Sequence, residues 1–338
     1  MVILSLLMVV LVSMVDRTST LWKNTTGKIE QFREARNGFE SITRRLSQAT
    51  LNTYWDYDAP TAPTKYIRQS ELRYLSGDTG TISGMADLPR PTHGVFFQAP
   101  LGFVQDSTGG TDQLENLLNT WGYFIEVTDD SALRPPFVNT PPKNRFRLME
   151  MMEPSEKNNL YKYTSGLDTN KKPKSSSYVG NEWFVDSLKS TPRPVHVLAE
   201  NIIALVLLPK LSPNDQNAGG YADSSLAPAY AYDSTKSNAD ANLNSKNQLP
   251  PVMQLNMVAV DEKSAGRMDN AALQSKLANL FTTASKLNSD LRRDATTYPD
   301  PTNDPSLEAY LINKHVNYRI FTTNISVKGA KWSREQKN

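Results

Sequence analysis

The first fifteen residues, MVILSLLMVVLVSMV, are the feature that most restricts how this chain can fold. They carry no charge, and the apolar run ends at Asp16 and Arg17. As an α-helix the run would be about 22 Å long, whereas a bilayer core is about 30 Å thick. Because the segment is apolar on every side, something other than water must cover it.

Three interpretations of this segment compete. A secretory signal peptide needs a basic region before the apolar run, and none is present here. A buried core helix would show a polar face, which this segment lacks. We therefore favour the inner part of a membrane helix that begins upstream of Met1. Its expected membrane and assembly contacts are Ile3, Leu4, Leu6, Leu7, Val9, Val10, Leu11 and Val12.

Residues 18–55 predict an amphipathic continuation of the same helix. Apolar side chains recur there at helical spacing, and charged side chains occupy most of the other faces. Glu40 and Arg44 are an i,i+4 pair in the favourable order. The apolar stripe is expected to pack on the rest of the protein through Ile29, Phe32, Phe39, Ile42 and Leu46.

The remainder, residues 56–338, predicts a β-rich globular head. Short apolar or alternating runs indicate strands at 65–68, 71–75, 94–99, 121–128, 145–152, 195–208, 252–260 and 318–328. Helices are predicted at 110–119 and at 268–294, and long loops at 171–180 and 212–247. The predicted fold class is α+β: a long N-terminal helix with a membrane half and an amphipathic half, packed on an antiparallel head with long loops.

Composition excludes several classes of function. With 37 basic and 35 acidic residues the formal charge is +2, so the chain has no field to attract nucleic acid. The absence of cysteine excludes disulfides, thiol nucleophiles and cysteine-bound zinc. Only three histidines are present, so a histidine-rich metal site is also excluded.

Acidic residues form the remaining candidate sites. Glu150 and Glu153 could act as an acid–base pair across a cleft, but solvated or ion-paired carboxylates are the favoured interpretation. Calcium could bind oxygen ligands in two acidic segments, although side chains that cap turns explain both better. These segments contain Asp129 and Asp130, and Asp300, Asn303 and Asp304.

No recognisable catalytic motif is present. The chain has no G-x-S-x-G elbow and no phosphate-binding glycine loop followed by lysine. His93, His196 and His315 lie in turn or strand contexts, where structural or surface roles are favoured. We therefore expect no enzymatic activity, no catalytic residue, no cofactor, no metal and no small-molecule substrate.

The order of these features resembles that of type IV pilin-like proteins. The segment FESITRRLSQA (39–49) resembles the second half of the helix in large minor pseudopilins, of the J type in type II secretion and the W type in type IV pili. Further segments are similar to the Verru_Chthon cassette protein C family. They are SQATLNTYWDY (47–57), RQSEL (68–72), VFFQAPLG (95–102), RFRLME (145–150), LAENIIAL (198–205), MVAVDE (257–262) and FTTNISVKGAKWS (321–333).

This resemblance implies a structural subunit of a type IV pilus or type II secretion-like envelope assembly. Implied partners are other pilin-like subunits and the inner membrane, with the head in the periplasm or in an extracellular filament. A bulky head implies a tip or initiation role. Such pilins begin with a basic leader, a Gly-Phe site and an early glutamate. None precedes Met1, so an internal start is expected. The alternatives are a membrane-anchored polysaccharide-binding module, marked by a row of exposed aromatics, and an envelope hydrolase.

Overall fold

The computed structural model describes residues 2–59, 61–85, 91–105, 117–131, 135, 137–138, 141–160, 180–221, 224–236 and 244–333. Within these ranges the fold is α+β, and every strand pairing is antiparallel. The α-helices are α1 (Val2–Leu46), α2 (Glu182–Lys189), α3 (Pro213–Gly219), α4 (Glu262–Ala265), α5 (Asn270–Leu277), α6 (Leu287–Leu291) and α7 (Leu307–Asn313). Short 3-10 helices are Ser155–Lys157, Ala284–Lys286 and Pro301–Asn303.

The described strands form three sheets. The strands are β1 (Tyr54–Tyr57), β2 (Tyr66–Gln69), β3 (Tyr74–Asp78), β4 (His93–Pro100), β5 (Leu118–Asp129), β6 (Asn144–Glu153), β7 (Val195–Glu200), β8 (Ile202–Lys210), β9 (Tyr232–Asp233), β10 (Val252–Val260) and β11 (Tyr318–Ser326). The six-stranded sheet has the order β7-β6-β5-β4-β3-β9, the three-stranded sheet has the order β11-β10-β8, and β1 and β2 form a separate hairpin.

The strands β3 to β6 of the six-stranded sheet are buried on both faces over most of their length. Alternation along β5 sends Trp121, Tyr123 and Ile125 to a main core shared with α1 and the three-stranded sheet. Phe124 points to the opposite face, where α2 covers a second, smaller core. In that core Phe96 stacks on Phe184 of α2 with ring centroids 3.9 Å apart. Strands with two buried faces explain the near-continuous apolar runs in the sequence.

The expected membrane half of the N-terminal helix is a wrong prediction. No helix in the described part of the chain combines the length and the apolar character needed to cross a bilayer. The physical reason is that the apolar run stops at Asp16 and Arg17, short of the bilayer thickness. Among the α1 side chains that the structure describes, those buried against the head are Ala35, Ile42 and Leu46.

The predicted strand at 195–208 is two strands in two different sheets. Asn201 separates them with a left-handed φ of 58°. Its backbone N–H donates to the Phe146 carbonyl at 2.8 Å, and its side-chain amide donates to Glu262 at 2.7 Å. The chain can therefore leave the six-stranded sheet after β7 and enter the three-stranded sheet as β8. Asparagine tolerates this conformation better than most residues, which explains its position.

The predicted helix at 268–294 is also interrupted. It contains α5, a 3-10 turn and α6, and Phe281 between them has a φ of 57°. Leu273, Leu277, Leu287 and Leu291 are nevertheless buried. The predicted loop at 212–247 contains α3 and β9, with residues 222–223 and 237–243 outside the description. Most of the predicted helix at 110–119, and the loop at 171–180 apart from its last residue, also lie outside the described residues.

Candidate functional site

The N-terminal part of α1 exposes a group of large apolar side chains. Leu11 is 60% exposed, and neighbouring side chains are exposed to a similar degree. The group, which we call the apolar segment, comprises Met8, Val10, Leu11, Val12, Met14 and Val15. Of the predicted assembly residues it contains Val10, Leu11 and Val12. The side chains of Ile3, Leu4, Leu6, Leu7 and Val9 lie outside the described residues.

Hydroxyl groups beside the apolar segment are satisfied within the helix. Ser13 Oγ donates to the Val10 carbonyl at 2.9 Å, and Thr18 Oγ1 donates to the Met14 carbonyl at 2.8 Å. These bonds remove the need for water at both hydroxyls. The apolar segment can therefore enter an apolar environment without leaving these two polar groups unpaired.

The C-terminal part of α1 is attached to the head by packing. Ile42 and Leu46 are fully buried, and Phe32 and Phe39 pack against the main core. Phe39 also meets Phe321 of β11, with ring centroids 5.5 Å apart. These are four of the five residues predicted for helix–head packing. The side chain of the fifth, Ile29, is outside the described residues.

A buried polar cluster fixes the last turns of α1 on the sheet. Glu150 of β6 accepts hydrogen bonds through Oε1 from Arg45, from the Tyr123 hydroxyl at 2.7 Å and from Trp121 Nε1 at 3.0 Å. The Arg45 guanidinium also lies 4.5 Å from the centre of the Trp121 ring. We call these four residues the anchor cluster. Its hydrogen bonds constrain both the position and the rotation of α1, which packing alone constrains less.

The electrostatics of the anchor cluster favour the ion pair. Burial acts to lower the pKa of Arg45, but Tyr123 and Glu150 outweigh it and the pKa is raised. Burial, together with the charge of Glu150, raises the pKa of the Tyr123 hydroxyl. Tyr123 therefore stays a neutral donor, and Arg45 stays a cation facing the Glu150 carboxylate.

Glu150 and Glu153 are on opposite faces of β6 and do not form an acid–base pair. Three positions separate them, so strand alternation sends Glu150 towards α1 and Glu153 towards α2. Ser187 of α2 donates to Glu153 Oε1, and within the described residues Glu153 Oε2 has no hydrogen-bond partner. Burial raises the pKa of Glu153 to about 7. Burial disfavours the charged carboxylate, so the apolar surroundings favour the protonated, neutral form of Glu153.

The three histidines have separate surroundings. His93 is buried, its Nδ1 accepts from the Leu207 N–H at 3.1 Å, and its Nε2 is 3.4 Å from the Phe281 carbonyl oxygen. Burial lowers its pKa to about 4, so the ring links β4 to β8 as a neutral group. His196 is exposed on β7, and His315 is exposed beyond α7.

The acidic segments cap turns. Asp129 accepts from the Ser131 N–H at 3.0 Å, and Asp130 accepts from the Lys143 N–H at 2.9 Å. Asp300 accepts from the Thr302 N–H at 2.9 Å, and Asp304 accepts from the Ser306 N–H at 2.8 Å. Hydrogen bonds from Ser131 lower the pKa of Asp129. Across the described ranges, no group of three or more His, Asp or Glu side chains is arranged to hold a metal ion.

Two features were missed by the sequence reasoning. The anchor cluster joins residues up to 105 positions apart, and no local pattern indicates that pairing. The second feature is a set of exposed aromatic side chains on the β1–β2 hairpin, which does have a local signal. Trp55 and Tyr57 are two positions apart in YWDY, and Tyr66, which begins YIRQ, is opposite Tyr57, so these three rings lie on one face.

Comparisons of the chain with protein-family models, with curated proteins and with solved structures give no match. Its function must therefore be inferred from its own geometry. Two elements stand out: an exposed apolar helical segment, and a cluster that fixes the same helix rigidly to a large head.

Proposed function

We propose that this chain is a structural subunit of an envelope assembly, a minor pilin-like protein that joins other subunits through its N-terminal helix. The observation that carries the proposal is the apolar segment, exposed on α1 ahead of the anchored turns. The resemblance of residues 39–49 to the helix of large minor pseudopilins, and of further segments to the Verru_Chthon cassette protein C family, supports the same function.

The exposed side chains supply a driving force for assembly. Burying a side chain such as Leu11 contributes about 1.5–3 kcal/mol. At helical spacing, Met8, Leu11, Val12 and Val15 lie along one side of α1, while Val10 and Met14 extend the apolar surface around it. Helices of similar character from other subunits would cover this surface on more than one side. We therefore propose lateral packing of several such helices rather than a single pair.

The anchor cluster supports the proposal because assembly needs a rigid link between helix and head. Arg45 and Glu150 hold the last turns of α1, so a subunit seated through its apolar segment also sets the orientation of its head. A head built from residues 56–338 is large for side-by-side repetition. We propose that the subunit takes a tip or initiation position in the envelope, with other pilin-like subunits as partners.

Neither the two carboxylates on β6 nor the buried histidine favours the hydrolase alternative. Glu150 is occupied by three donors, and Glu153 points to the opposite face of β6. His93 is buried and neutral, and both ring nitrogens face backbone groups of the core. A non-enzymatic role without a cofactor remains our proposal.

Affinity purification from the native envelope tests the proposal. The tagged chain is compared with Leu11→Arg, which places a charge in the apolar segment, and with Leu11→Met, which keeps its volume and apolar character. The wild type and Leu11→Met should capture proteins with apolar N-terminal helices, and Leu11→Arg should reduce that capture at least tenfold. Equal capture by Leu11→Arg, or no such partner with the wild type, would refute the proposal. Thermal unfolding of each variant verifies that the head is intact.

A further inference from the structure

The β1–β2 hairpin presents a flat group of exposed aromatic rings. In its register Trp55 is opposite Arg68, and Tyr57 is opposite Tyr66, so these four side chains share one face. Trp55 is 57% exposed, Tyr57 is 47% exposed and Tyr66 is 63% exposed. We call the three rings the aromatic platform. Side chains this exposed contribute little to the stability of the fold, and their clustering on one face therefore favours a binding role.

The aromatic platform is held in place by contacts beneath and within it. Arg68 lies 5.3 Å from the centre of the Trp55 ring. The Arg68 guanidinium is itself fixed, since it donates to Gln248 at 2.8 Å and to the Lys331 carbonyl at 2.9 Å. The rings of Tyr57 and Tyr66 are 5.0 Å apart, and their hydroxyls are 3.3 Å apart. Little ordering is therefore required when a ligand binds.

The size and charge of the platform indicate what it binds. Three aromatic side chains about half exposed offer roughly 300 Å² in total, well below the roughly 800 Å² per partner of a stable protein interface. Arg68, the cation on this face, is buried and bonded to protein groups, so the platform offers rings rather than charge. Single-stranded nucleic acid would need free cations beside the rings.

We propose that the aromatic platform is a binding surface for a neutral β-linked glycan. Sugar rings with equatorial hydroxyls present a flat face of C–H groups, which stacks on an aromatic ring. Trp55 and Tyr57 are alternate residues of one strand, about 7 Å apart, a spacing that places two rings along one glycan chain. The phenolic hydroxyls of Tyr57 and Tyr66 can exchange hydrogen bonds with sugar hydroxyls at the rim. This inference is independent of the helix-packing function.

Native affinity electrophoresis tests the proposal with the full chain. The gels contain hydroxyethyl cellulose or laminarin as β-linked probes and dextran as the α-linked control. The wild type should be retarded by a β-linked probe and not by dextran. Trp55→Ala should weaken this association at least tenfold, and Tyr66→Ser should weaken it several-fold. Trp22→Ala is the matched control, because Trp22 is 75% exposed on α1 and lies outside the platform.

Each outcome decides the proposal. Retardation that is lost in Trp55→Ala, kept in Trp22→Ala and kept in Leu11→Arg supports the glycan surface, whatever the result for helix packing. Absence of retardation in both β-linked gels overturns it, as does equal retardation of the wild type and both platform variants. Platform-dependent binding of an oligothymidylate or of a protein instead of the glycan also overturns it. If Trp55→Ala lowers the unfolding temperature, the result for Tyr66→Ser, which alters the most exposed of the three rings, decides the proposal instead.

Discussion

Arg45, in the last turn of α1, donates a hydrogen bond to Glu150 of β6, a residue 105 positions further along the chain. The Glu150 side chain is 7% exposed and the Arg45 side chain 30% exposed, so the pair lies at the edge of the core. Removing one partner leaves the other poorly solvated. This relationship connects the packing of the helix to the stability of the whole head.

The first prediction concerns this ion pair. Arg45→Met should lower the free energy of unfolding by about 2 kcal/mol, less than for a fully buried pair because Arg45 is partly exposed. Arg44→Met, at the exposed neighbouring position, should change it by less than about 0.5 kcal/mol. Urea denaturation measures both. Similar effects of the two substitutions would mean that the pairing of Arg45 with Glu150 does not stabilise the protein.

The second prediction concerns close packing at Gly122 of β5. A Cβ atom there would lie 2.5 Å from Phe96 Cδ1, and Phe96 cannot retreat because it stacks on Phe184. Gly122→Ala should therefore destabilise the protein by about 1–3 kcal/mol. Gly266→Ala is the control, since its nearest neighbour would be at 3.5 Å and its φ is −66°. A stable Gly122→Ala variant, with a thermal midpoint equal to that of Gly266→Ala, would contradict the packing described for the second core.

The third prediction concerns pH. Burial raises the pKa of Glu153 from 4.5 to about 7, so its contribution to stability is complete below pH 4.5 and is lost as the pH rises through 7. Burial lowers the pKa of His93 from 6.5 to about 4, so its contribution is complete above pH 6.5 and is lost as the pH falls through 4. Each shift corresponds to about 3 kcal/mol, and the two slopes oppose each other between pH 4.5 and 6.5.

Glu153→Gln separates the two slopes. The variant keeps the His93 contribution, so its free energy of unfolding should rise by about 3 kcal/mol as the pH increases from 4 to 6.5. The free energy of unfolding of the wild type should change much less between pH 4.5 and 6.5. Glu40→Gln, at an exposed position on α1, should follow the wild type. Urea denaturation across this pH range gives the curves, and parallel curves for Glu153→Gln and wild type would show that Glu153 does not titrate as described.

Local pattern located most strands of the head but not their assembly into sheets. It missed β1, which begins in residues predicted as helix although α1 ends before them, and β9, which lies in a predicted loop. Val252–Val260 and Tyr318–Ser326 follow the predicted runs closely, because apolar and alternating residues report burial directly. The break at Asn201 was not predicted, because the apolar run continues on both sides of it. Only the tertiary contacts of Asn201 with Phe146 and Glu262 show that the chain changes sheet there.

The helical errors have a similar origin. Leucines at helical spacing on both sides of Phe281 predicted one helix, yet the chain turns at Phe281 and both sides pack into the main core as separate helices. The membrane half was inferred from an apolar run that continues into an amphipathic helix, with a start expected upstream of Met1, whereas the run itself is shorter than a bilayer. For the candidate site, the sequence indicated the apolar segment and the packing stripe. No local sequence pattern at Glu150 or Trp121 predicted a contact with Arg45.

The central claim is that the apolar segment packs against helices of other subunits, and photo-crosslinking tests it most directly. A benzophenone amino acid replaces Leu11 in the native host, and the same group at Arg36, on an exposed polar position of α1, is the control. Mass spectrometry should find the benzophenone at position 11 crosslinked to the apolar N-terminal helix of another subunit. The benzophenone at position 36 should give no such product. Crosslinks from Leu11 only to lipid, to the head of the same chain or to nothing would contradict the claim.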